Sequence, residues 1–140
     1  ATKTITLDAG THFNKVEVVY SGDTMASLPL VVGIIKRKEQ GTMLLDELNG
    51  AMAYWEPLHG PDGITGVGSF LLEPAAAVKV TATQLLMQTS TPKGKPIVYY
   101  TGAAWNKAGV FTNASTWVSH VQLTKAKIMQ PLQVGIESIK

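Results

Sequence analysis

Glu56, His59 and Asp62 recur at three-residue intervals in "YWEPLHGPDG" (Tyr54 to Gly63), directly behind Trp55. Two carboxyl groups and an imidazole in one short stretch are a set suited to acid–base chemistry. Glu56 and Asp62 could serve as acid and base or nucleophile at a glycosidic bond. His59, or Tyr100 from further along the chain, could abstract the proton beside a uronate carboxylate. Trp55 offers an apolar plate on which a pyranose ring stacks, and the carboxylates accept hydrogen bonds from hydroxyls. Pro57 and Pro61 set φ at two positions and restrict the residues before them, while Gly60 and Gly63 supply the bends. Such a stiff loop lowers the ordering cost of holding a ligand. The competing account is structural: Pro and Gly shape a turn, Trp55 packs in the core and His59 caps a backbone group.

A second cluster follows in "IVYYTGAAWNKAG" (Ile97 to Gly109). Tyr99 and Tyr100 point to opposite faces of a strand, so one is core. The other, with Trp105 beyond Gly102, would form a second aromatic wall. Asn106 and Lys107 supply polar tips able to hold a carboxylate. The alternative is again a hairpin end with core aromatics. The readings make different demands. An enzyme brings Glu56, His59 and Asp62 into one cleft with a polar neighbour from the second cluster. A binding protein leaves Trp55 or Trp105 flat and exposed. A structural domain buries both tryptophans.

Other chemistry is excluded or unsupported. The chain has no cysteine, which removes disulfides, thiolate metal sites and cysteine nucleophiles. His12, His59 and His120 lack metal-ligand spacing, so no metal is expected, and no cofactor motif is present. "TPKGKP" lacks the spacing of a phosphate loop. "GITGVG" lies in a strand pattern with no helix after it, unlike a dinucleotide fingerprint. No serine has the context of a nucleophile elbow. The net charge is only +2 and the one basic run is Lys36-Arg37-Lys38, so no nucleic-acid face is expected. No apolar run reaches the ~18 residues of a membrane span. Asn113-Ala114-Ser115 fits a glycosylation sequon, a match common by chance.

The elements that must position these residues are mostly strands. At 140 residues the chain fits one domain with a real core, residues 1–140. Thr2 to Leu7 and Phe13 to Tyr20 alternate in period two. Leu30 to Ile35, "LVVGII", is apolar on both faces and reads as a central strand. Thr42 to Leu45 and Gly50 to Trp55 flank the turn "DELNG", where Asn49-Gly50 favours a tight reversal. Gly66 and Gly68 lie on one face of the strand Ile64 to Leu72 and allow something to approach its backbone. Val78 to Thr81, Gln84 to Gln88 and Pro96 to Ala103 read as three more strands, with "TSTPKGKP" as a loop. One helix follows, capped by Asn113, Ser115 or Thr116, with Trp117, Val121 and Ile128 near one face. Lys125 and Lys127 suit its negative end, and Pro131 stops it. His120 reads as a surface or boundary residue. "LQVGIESI" (Leu132 to Ile139) alternates again and reads as a last strand. The fold class expected is all-β, or β-rich α+β: an antiparallel β-sandwich with one C-terminal helix.

"ITLDAGTHFNKVEVVY", "LPLVVGIIKR", "AYWEPLHGPDGITGVG" and "YYTGAAWNKAG", with the "PL-V" pattern at Pro131 to Val134, resemble the C-terminal part of a bacterial family called domain of unknown function 4861. The resemblance covers nearly the whole chain. It implies an exported protein, periplasmic or extracellular, found alongside enzymes that degrade acidic polysaccharides. It also implies a large sandwich like those of mutarotases and polysaccharide lyases. Family members are longer, so the chain would be a C-terminal portion needing an N-terminal half or a homo-oligomer to cover its open edges. No settled reaction comes with the family. The functional expectation is recognition or processing of a uronate-containing carbohydrate, by a lyase or glycoside hydrolase if catalytic. The candidates are His59, Glu56, Asp62 and Tyr100 for catalysis, and Trp55, Trp105, Asn106 and Lys107 for binding. The alternative is an accessory domain that assembles with another chain and has no activity of its own.

Overall fold

A computed structural model describes residues 1–22, 25–38, 40–58 and 60–135. Nine antiparallel strands form two sheets. β1 (Thr2–Leu7), β2 (Phe13–Val19), β4 (Thr42–Asp46), β5 (Ala51–Trp55), β6 (Thr65–Leu71) and β9 (Ile97–Trp105) make a six-stranded sheet in the order β1-β2-β9-β6-β5-β4. β3 (Ser27–Ile35), β7 (Ala77–Val80) and β8 (Gln84–Pro92) make a three-stranded sheet, β3-β8-β7. The helix α1 (Ala114–Met129) packs against β5 and β6. The order of layers is therefore small sheet, large sheet, helix.

The large sheet is buried from both sides at its centre, which explains why β5, "AMAYW", is apolar at every position. Met52 and Tyr54 enter one core with Val16, Ile34, Leu71, Leu85 and Met87, between the sheets. Ala51, Ala53 and Trp55 enter a second core with Phe13, Phe70, Trp117 and Val121, beneath the helix. The alternation of a strand distributes one run of residues between two cores. The glycines of β6 do what their spacing suggested. An added Cβ on Gly68 would lie 2.7 Å from Val121 Cγ2, and one on Gly66 would lie 2.8 Å from Trp117 Cδ1. What approaches the β6 backbone is the helix.

Several expectations need correction. β3 is an edge strand and not a central one, with Val31 54% and Ile35 79% exposed. Among the described residues no further element covers the outer face of "LVVGII". β8 runs on to Pro92, and the expected loop shrinks to a tight turn in which Gly94 takes φ 72°. Lys125 points into the protein, because Trp117, Val121 and Lys125 at intervals of four form one buried stripe. Residues 131–135 carry no regular structure, so the first part of the expected last strand is absent. Its remainder, residues 136–140, lies outside the described residues. The helix begins where expected: Asn113 Oδ1 accepts from the Thr116 amide at 3.0 Å, and the sequon asparagine is an N-cap.

Candidate functional site

The two motif clusters meet at one end of the large sheet. Trp55 pairs with Gly66, and Gly66 with Ala104. This row faces the helix, where Trp55 is 5% exposed and packed in the second core. One residue further along, the Glu56 amide donates to Thr65 O at 3.0 Å, and Thr65 pairs with Trp105. Glu56, Thr65 and Trp105 thus form the next row, pointing to the opposite face. Two interstrand steps separate Glu56 from Trp105, about 10 Å.

Trp105 is 50% exposed. It is also held: its Nε1 donates to Asp62 O at 2.8 Å. Asn106 accepts from the Ile64 amide through Oδ1 at 2.8 Å, while its own amide donates to Ile64 O at 3.0 Å. Lys107 Nζ donates to Pro61 O. The "GPDG" turn is therefore fastened to the β9 end by three consecutive residues. Gly63 is required there. It takes φ 95°, and a Cβ on it would fall 2.5 Å from Asn106 Oδ1.

Glu56 is held from the other side. Arg37 Nε donates to Glu56 Oε1 at 3.2 Å, with the Glu56 side chain 14% and the Arg37 side chain 52% exposed. The Arg37 amide donates to the Tyr54 hydroxyl at 3.2 Å, which satisfies the polar end of a fully buried ring. Arg37 was not singled out from the sequence except as part of a basic run. The only signal was that run's position at the end of a strand.

The expected residues are thus brought together in part. Asp62, Trp105, Asn106 and Lys107 form one cluster, and Glu56 lies in the same row as Trp105. Trp55 is core, so no ligand stacks on it. Tyr100 stacks on Phe70 with ring centroids 5.0 Å apart, on the helix side. It is five residues from Trp105 along β9, about 17 Å, and faces the other way. His59 lies outside the described residues. Among the described residues pockets open elsewhere, between β8 and the start of β9, between α1 and the β4–β5 turn, and beside β1 and β3. Among the described residues no group of three or more His, Asp or Glu is arranged to hold a metal. No helix among them is long and apolar enough to cross a membrane.

A β-rich chain of two antiparallel sheets with one C-terminal helix, carrying an aromatic and polar cluster at one sheet end, is the class of protein these features define. The family model "Domain of unknown function (DUF4861)" matches residues 1–134, and the chain belongs to that family. No curated protein and no solved structure matches it.

Proposed function

We propose that this protein recognises a carboxylate-bearing carbohydrate along the open end of the large sheet. Trp105 carries the reading. A half-exposed indole fixed by its Nε1 and backed by the Asn106–Ile64 bonds is a preorganised stacking surface, which reduces the ordering cost of binding. In the same row, Thr65 offers a hydroxyl and Glu56 a carboxylate to sugar hydroxyls. Arg37 offers a guanidinium of the geometry that suits a uronate carboxylate. Polymeric uronates belong to the periplasm or extracellular space, which agrees with the exported setting implied by the family resemblance.

The test is tryptophan fluorescence titrated with uronate oligosaccharides and with neutral ones of equal length. Trp55 and Trp117 are buried, so Trp105 reports surface binding. A saturable change, absent in Trp105→Ala and weakened in Arg37→Ala only for the acidic sugars, supports the reading. Equal binding of neutral sugars removes the uronate part. No saturable change with any sugar sinks the reading.

A second reading, an assembly domain, has its own support. All six residues of β1 are exposed, Ile5 and Leu7 included, and β3 presents Val31 and Ile35. Unpaired edges carrying apolar side chains are surfaces on which a further strand or sheet can settle.

A further inference from the structure

The end of the helix remote from its N-cap closes over a cavity that the proposed carbohydrate surface does not use. It measures about 470 Å³ and lies between the β4–β5 turn, the loop after β6 and the last turns of α1. Lys125 lines it and is 9% exposed. Its Nζ donates to Asn49 O and, at 2.7 Å, to Leu71 O. Both partners are neutral carbonyls. Among the described residues no carboxylate lies within ion-pair distance of it. Asp46 lines the same cavity, but its oxygens accept from the Asn49 amide at 3.0 Å and from Asn49 Nδ2 at 2.8 Å.

A cation taken from water, hydrogen-bonded only to neutral acceptors and helped by Asp46 only through space, retains much of its desolvation cost. A bound anion would offset it. The rest of the wall suits an organic one. Leu48, Leu72, Pro74 and Met129 are apolar, and Met129 is a side chain that adapts to irregular shapes. The volume is that of an ordinary small-molecule site, in which a few polar groups fix orientation within an apolar wall. Charge count narrows the class further. Lys125 is a single ammonium whose charge is offset only in part by Asp46, which lies beyond ion-pair distance, so it can pair with one negative charge and a monoanion is favoured over a dianionic phosphate.

We infer that this cavity binds a small monocarboxylic acid with an apolar body, its carboxylate on Lys125 and its body against Leu48, Leu72 and Met129. The ligand class differs from the sugar proposed for the Trp105 surface, and the two sites lie at different places on the protein.

Backbone amide shifts should be followed by NMR while hexanoate, benzoate, glucuronate and inorganic phosphate are titrated in separately. Hexanoate or benzoate is expected to shift amides at 46–49, 72–73 and 122–130 saturably. A charge-assisted hydrogen bond is worth enough that Lys125→Met should weaken this binding by about 10-fold to 100-fold. Leu48→Glu keeps the Lys125 contacts and serves if Lys125→Met fails to fold. Leu48 is 85% exposed, and the added negative charge should also weaken the acid's binding. The inference is overturned if neither acid shifts these amides, or if a folded Lys125→Met or Leu48→Glu binds as the parent does. Stronger binding of phosphate, or glucuronate bound as well as hexanoate, overturns the assigned ligand class.

Discussion

Trp55 and Trp105 are alike in the sequence and opposite in the fold. Each ends a strand and each begins a polar segment. Trp55 is buried under the helix against Gly66, and its removal leaves a large cavity. Trp55→Ala should cost about 3–5 kcal/mol in urea unfolding. Trp105 is half in solvent and loses one hydrogen bond with its ring, so Trp105→Ala should cost about 1 kcal/mol and leave a cooperative fold. A reversed order of these two values would contradict the row assignment. This pair also shows the limit of the opening motif. Its prolines and glycines were legible as turn chemistry, and the structure shows "GPDG" fastened to the end of β9 by hydrogen bonds. Which of two tryptophans met the solvent was not legible, because the answer depends on counting strand pairings between distant segments.

The helix and its seat on β6 depend on one another. Gly68→Val places side-chain atoms where Val121 already sits, and overpacking of this kind costs about 1–3 kcal/mol. A loss of helical circular dichroism at lower urea than for the parent would check it. A compensating Val121→Ala in the same chain should recover part of the loss. The helix is also tied to the turn between β1 and β2. His120 and His12 have ring centroids 5.3 Å apart, and both meet Phe111. Burial lowers the His120 pKa, and the neighbouring positive charges of His12 and then Lys127 lower it further. The unfolded chain therefore takes up this proton more readily than the folded one. Stability should be fully present above the ordinary histidine pKa of 6.5 and fall as pH drops from there towards the lowered value. In His120→Phe, melting temperatures measured between pH 5 and 8 should show a smaller slope. An unchanged slope would mean that another group governs the acid limb.

The molecule as a whole is an unequal sandwich, six strands facing three. The small sheet therefore covers part of the large one, and β1 and β3 end as open edges. Some protection is built in. Pro29 lies within β3, where it has no N–H to offer a neighbour, and Lys3 lies on β1. The apolar residues Ile5 and Leu7 remain exposed. If these edges are assembly surfaces, light scattering should show mass rising with protein concentration. Ile5→Lys with Leu7→Lys should restore the mass of a single chain. A constant monomer mass over the same range would leave the carbohydrate surface as the reading to pursue.

Local patterns were enough to read the β-rich class, most strand positions and the helix from Asn113 to the stop at Pro131, because each depends on neighbours within a few residues. The turn chemistry of "GPDG" and the need for small residues on one face of β6 came the same way. The pairing of strands was beyond such patterns. β9 sits between β2 and β6, and this insertion joins Asp62 to Trp105 across 43 residues. A step of one residue along a strand reverses its face, so the register alone separates buried Trp55 from exposed Trp105. The same holds for Lys125. Its interval from Trp117 and Val121 was visible, but the carbonyls of Asn49 and Leu71 that receive its ammonium come from distant turns, brought there only when the helix docks.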